Sequence, residues 1–280
     1  MSELADRVRS WVGEQGYPLE MLVAKGFREG GFVARQSEYF LDHESGDSRE
    51  IDVVASTQKM IGNVLVRITV CVECKSAKKH PWVLFSSKDT RISSPAAVVQ
   101  RPANLLGYEL LKSISHNKYA HNTPFFKLSG RNGYAMTEAF TSGKDNAYSS
   151  CVSVAKCARS LTTGALEVSE EQVPLCEIVF PVIFLQGALF ECHQDDVELE
   201  VAEVGSATLI WRNQISNVGH SIISIYTEKT LGKLVREASR LASFIFDQVD
   251  SFERIERDFL SKYENRWSIK NSRLSKDRRE

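Results

Sequence analysis

Apolar and polar positions along the chain alternate with two periods, and the change from one to the other marks its elements. Leu4, Val8, Trp11 and Val12 fall at helical spacing, which predicts a helix over 2–15 that stops at Gly16. A second helix follows, with Pro18 in its first turn, Leu19, Leu22, Val23 and Phe27 on one stripe, and Gly30-Gly31 as its stop. The pattern then shifts to strands: Phe32 to Leu41, Glu50 to Ala55 and Val64 to Lys75, with a polar turn at Asp42 to Ser48 and a further buried strand at Trp82 to Phe85. Ala96 to Ile114 reads as helical with Pro102 near an end or at a kink, His116 to Gly133 as turn-rich, and Asn146 to Leu161 as helical. Five short apolar runs return as strands, Cys176 to Leu185, Ala188 to His193, Leu199 to Val204, Ala207 to Arg212 and Ile222 to Tyr226. The amphipathic helix Leu231 to Val249 follows them. Helix, antiparallel strands, helices and then more strands predict an α/β fold with a mixed central sheet flanked by helices. One domain over 1–250 is expected, with a core at about 15–115 and an extension at 116–250, followed by a charged helical tail at 251–280.

Three charged residues interrupt the apolar strands: Asp52, Glu73 and Lys75. Charge in a half-buried strand costs free energy unless something pairs with it, and two converging carboxylates repel each other. A divalent cation resolves both problems. Gly62-Asn63 is a hairpin-turn dipeptide, and a turn centred there pairs residues whose numbers sum to 125, as those of Asp52 and Glu73 do. Directly opposed residues on antiparallel strands hold their Cβ atoms roughly 4.5–5.5 Å apart, close enough to share an ion, and Lys75 joins by period two.

Composition changes this picture little. A chain of 280 residues, 42% hydrophobic and 25% charged, is an ordinary globular sequence. The start, Met1-Ser-Glu-Leu-Ala-Asp-Arg7, has early charge and no apolar core of a secretory signal, and the longest apolar stretch, Ile178 to Phe190, is too short to span a bilayer. A cytoplasmic protein is expected. The net charge of −1 excludes a uniformly basic nucleic-acid-binding surface but allows a local one. Lys78, Lys79 and His80, just past the carboxylates, are candidate phosphate contacts. The last twenty residues carry seven Lys/Arg against three acids and read as a solvated helix end. Cys71 and Cys74 have zinc-like spacing, yet residues three apart on a strand face opposite sides, so the six cysteines read as buried thiols. His116 and His121 read as surface residues and Trp82 as core.

Glu20, Asp52 and Glu73-Cys74-Lys75, in the order helix, strand, strand, resemble the active-site signature of the PD-(D/E)XK (restriction endonuclease-like) nuclease superfamily. Gly16-Tyr-Pro-Leu-Glu20, Tyr39-Phe-Leu-Asp42, Arg49-Glu-Ile-Asp-Val-Val-Ala55 and Pro81-Trp-Val-Leu-Phe85 are similar to its bacterial Mrr-like and phage-defence branch, over roughly residues 15–90. The proline that precedes the aspartate in the named signature is Ile51 here. The resemblance implies a restriction endonuclease-like fold and a Mg²⁺-dependent DNA endonuclease, with Mn²⁺ as a substitute, acting in restriction or anti-phage defence. Asp52, Glu73 and the Cys74 carbonyl would be the metal ligands. Lys75 would orient or deprotonate the attacking water, Glu20 would hold a metal-bound water or a second ion, and Gln100 would correspond to a family glutamine. The sequence has no Walker A run, zinc finger or base-reading helix, so targeting is expected from a protein partner, a homo-oligomer or the 116–175 region. The competing expectation is a nuclease-fold scaffold or binding subunit of a larger complex, and RNA is a further possible substrate.

Overall fold

Gly62, at φ 58°, turns the chain as the sequence predicts, and β2 (Ser48–Ile61) and β3 (Val64–Ser87) pair in the expected register, from Ile61 with Val64 to Val53 with Val72. In this computed structural model residues 2–88, 92–141, 145–164, 173–195, 197–213, 215, 219–255 and 257 are described. The two predicted N-terminal helices are α1 (Glu3–Glu14) and α2 (Tyr17–Glu29), with Pro18 in the first turn of α2. β1 (Val33–Leu41) runs antiparallel to β2. Pro102 splits the predicted 96–114 helix into α3 (Ser94–Val99) and α4 (Leu105–Ile114), and its carbonyl instead accepts from Val179 N at 2.8 Å. The short α5 (Lys118–Asn122) lies in the turn-rich stretch, and α6 (Asn146–Gly164) is the predicted central helix.

Two expected breaks are continuous. Lys75 and Trp82 belong to one strand, and β5 (Leu175–Asp195) runs straight through Pro181, Gln186 and Gly187. Pro181 is tolerated because it falls between the single bridge Ala103–Ile178 and the start of the next ladder at Val182, where that edge of β5 has no ladder partner. A strand absent from the sequence reading, β4 (Asn132–Glu138), pairs with the far end of β3. β6 (Glu198–Val204), β7 (Ser206–Arg212) and β8 (His220–Thr227) match their predicted runs. The helix α7 (Leu231–Phe246) ends sooner than expected, and 249–255 is helical again. The remainder of the predicted tail lies outside the described residues.

The result is a mixed eight-stranded sheet flanked by helices, in the order β1-β2-β3-β4-β7-β8-β5-β6. An additional β3–β5 ladder closes β3, β4, β7, β8 and β5 into a ring, with β1–β2 and β6 as extensions. β3 and β5 run parallel and are buried on both faces, so their sequences are near-continuous apolar runs rather than alternating ones. On one face Val66, Ile68, Val70, Ile178, Phe180 and Val182 pack under α2, α4 and α7; on the other, Cys71, Trp82, Val179 and Ile183 pack under α6. Cys71 and Cys74 fall in opposite cores, and all six cysteines are buried free thiols. The α1 stripe stays outside, with Leu4, Val8 and Trp11 each at least half exposed, and Leu22 of α2 also faces out.

Candidate active site at a break in the sheet

Strand β2 loses both its neighbours at Asp52. Its ladder with β3 ends at Val53–Val72, one pair short of Asp52 and Glu73. Its ladder with β1 has Val53–Gln36 and Ile51–Glu38 but no pair between them, where Ser37 takes φ 52°. The alternation of faces slips at the same point: Ile51 packs in the α6 core and Val53 in the opposite one. Asp52 thus lies within the plane of the sheet, and its Oδ2 accepts from Cys74 N at 2.6 Å in place of a main-chain carbonyl. Convergence with Glu73 arises at a break in the ladder, next to the register that the turn dictates, and not from two side chains standing side by side on one face.

The edge of β3 that β2 leaves is taken up again by β4 only at Trp82, and Ala139 N bonds the Pro81 carbonyl at 2.9 Å. Residues 73–80 therefore face a gap in the sheet. Across the other edge, Ala77 pairs with Gly187 and Trp82 with Leu189, so four residues of β3, 78–81, stand against Ala188 alone. Lys78, Lys79 and His80 are thus a bulge within a strand and not a loop, and both lysines are exposed at the end of the gap.

Glu73 is buried, and both of its carboxylate oxygens are engaged. Lys75 Nζ lies 2.6 Å from Oε1, and Ser153 Oγ of α6 donates to Oε2 at 2.9 Å. Ser153 had no sequence signal of its own, because a serine one turn before Lys156 on the polar side of a helix is unremarkable. Lys156 reaches Asp42, which is almost fully buried and also pairs with Arg49. Those two cations hold the Asp42 carboxyl down at about 2, with the Lys156 hydrogen bond the main cause. Glu20 is brought beside the group from α2: burial foremost and then Glu50 push its carboxyl up, while Lys75 pulls it down.

Asp52 is held up at about 7 by burial first and by Glu73 second, against the Cys74 N–H and Lys75, which lower it. Two carboxylates crowded out of water at one spot are the arrangement that a cation relieves. For Lys75, burial is the largest single influence and works to lower its pKa, but the Glu73 carboxylate, with Asp52 behind it, turns the net shift upward. That is the reverse of what proton acceptance requires, so a basic Lys75 needs the Glu73 pair to open.

Among the described residues no three His, Cys, Asp or Glu side chains are grouped so as to hold a metal by themselves. A cation here would rest on Asp52, Glu73 and the Cys74 carbonyl, with water completing its shell. Oxygen donors limited to one or two carboxylates suit Mg²⁺, which keeps several of its waters. Gln100 caps the C-terminal end of α3, whose Ala97 packs with Ile210 and Ile222 and whose Val98 packs in the same core as Cys74. Trp82 is fully buried, and His121 Nε2 lies 2.6 Å from the Ser115 carbonyl. Among the described residues no helix is long and apolar enough to cross a membrane. No protein-family model matches the chain, and no curated protein or solved structure matches it either.

Proposed function

We propose that the chain is a Mg²⁺-dependent nuclease that hydrolyses phosphodiester bonds of DNA, in keeping with its resemblance to the restriction endonuclease-like superfamily and to that superfamily's restriction and phage-defence branch. The observation that carries this reading is Asp52 held on the Cys74 N–H, between the paired Glu73 and Lys75 that both act on its carboxyl, at the gap where β2 leaves β3. A bound Mg²⁺ would acidify water and neutralise charge on the scissile phosphate. Asp52 and Glu73 would fix the ion, and the Cys74 N–H would hold Asp52 in place. Lys75, once released from Glu73, would orient the attacking water and take its proton. Glu20 would hold a further water from the α2 side, and Lys78 and Lys79 on the bulge would meet the phosphates of the strand.

A second reading has a specific observation behind it. Both Glu73 oxygens are already used by Lys75 and Ser153, which is how a retained but idle site in a scaffold or binding subunit would look. Incubating the purified chain with supercoiled, linear and single-stranded DNA and with RNA, each with Mg²⁺, Mn²⁺ or EDTA, separates the two. The nuclease reading expects DNA products with either metal and none in EDTA. Intact DNA under every condition would favour the scaffold, and products from RNA alone would move the assignment to a ribonuclease.

A further inference from the structure

Away from this gap, a cavity of about 400 Å³ lies between the 122–129 segment, β7, β8 and α7, within the roughly 300–1,000 Å³ range of small-molecule sites. Its floor is unusual for this sheet. Ser206 pairs with Tyr226 and Thr208 with Ser224, so four hydroxyl-bearing residues face the cavity, while the alternate residues Ala207, Leu209, Ile223 and Ile225 pack into the α6 core. On β2, β3 and β5 the corresponding face is Val, Ile and Phe under helices. A face built only for stability would continue those aliphatic side chains.

The charge around the cavity is positive. Lys127 and Lys233 line it, with Lys233 Nζ 2.7 Å from Ser206 Oγ. Glu237, the one acid among its described lining residues, accepts the Tyr226 hydroxyl at 2.5 Å. Behind the wall sits Arg101, only 4% exposed. Its guanidinium donates to the Ile222 carbonyl at 3.1 Å and to the Phe125 carbonyl, and lies 5.9 Å from the centre of the Phe180 ring. Among the described residues its Nε has no partner. Carbonyls and a ring do not neutralise a buried cation, and burial lowers its pKa to about 9. Arg101 also fastens Phe125, which takes the left-handed φ of 68° at the cavity wall, and the Phe125 and Tyr226 rings, with centroids 6.3 Å apart, are themselves buried in the core under that wall. Strain of this kind is retained where the surroundings enforce it, as at a ligand clamp.

We infer that this cavity binds a small phosphorylated sugar, the phosphate at Lys127 and Lys233 and the sugar hydroxyls on the Ser and Thr floor. The site is separate from Asp52 and Glu73 and does not depend on their role. The test is titration calorimetry of the full chain in EDTA, with ribose 5-phosphate, ribose and inorganic phosphate as probes. The sugar phosphate is expected to bind, ribose and inorganic phosphate each at least about tenfold more weakly, since each lacks one half of the contacts. Lys233→Ala and Thr208→Val are expected to weaken sugar phosphate binding at least about fivefold with unfolding temperatures near that of wild type, and Asp52→Asn to leave it unchanged. No binding of the sugar phosphate at millimolar concentration, equal binding of ribose, or unaltered affinity in both cavity variants would overturn the inference.

Discussion

Asp52→Asn is expected to abolish Mg²⁺-dependent DNA cleavage, by ~10³-fold or more, and at the same time to raise the thermal stability of the metal-free protein. The first effect follows because the amide cannot supply the charge that would hold the cation beside Glu73. The second follows from the direction in which folding shifts this carboxyl, from an ordinary 3.8 to about 7. A carboxyl raised on folding favours its protonated form. Its contribution to stability is complete below about pH 3.8 and is lost as pH rises through about 7. Above pH 7, in EDTA, the charged side chain therefore opposes folding, and asparagine removes that penalty while its carbonyl can still accept from Cys74 N. The unfolding temperature of the variant should exceed that of wild type more at pH 8 than at pH 5. Lys75→Ala should lose cleavage to a similar degree, and it should destabilise the protein because it leaves buried Glu73 with Ser153 alone. Full cleavage by either purified variant removes these residues from the reaction.

Gly187→Ala is expected to cost about 3 kcal/mol or more of stability, the largest backbone effect of any single methyl near the site. Gly187 has φ 137°, a conformation that L side chains rarely adopt, and an added Cβ would stand 2.6 Å from the carbonyl carbon and oxygen of Ala77. Neither neighbour can yield, because Ala77–Gly187 is the last pair before the bulge that shifts the β3–β5 register, which resumes at Trp82–Leu189. Forcing them apart would pry open the β3–β5 ladder just beyond Lys75. Cleavage per folded molecule should fall along with stability, which urea unfolding and activity at matched folded fractions would reveal. Wild-type stability in Gly187→Ala would mean that β5 does not approach β3 so closely.

What local sequence can encode was legible, and what depends on distant partners was not. The Gly62-Asn63 turn sets the β2–β3 register by itself, so the neighbourhood of Asp52 and Glu73 followed from a dipeptide and a period of two. The opposite facing of Cys71 and Cys74 followed from the same period. The strand ends expected at Lys75 and Leu185 are not ends: Pro81 lies in a bulge and Gly187 permits a close approach, so both strands continue. β4 was missed because Asn-Gly-Tyr-Ala-Met-Thr-Glu has no alternation, its edges being filled by β3 and β7. The ring could not be foreseen, since the parallel β3–β5 ladder joins residues more than a hundred positions apart. Of the candidate residues, Asp52, Glu73, Lys75 and Glu20 influence one another in space, and Ser153 came unannounced from α6.

The central claim is that Asp52 and Glu73 share one divalent ion, and calorimetric titration of Mn²⁺ into the wild-type chain, Asp52→Asn and Glu73→Gln addresses it without needing the substrate. Two ligands of one ion should fail together: wild type binds, and each variant loses at least about tenfold in affinity. Equal Mn²⁺ binding by all three proteins, or none by wild type, would contradict it.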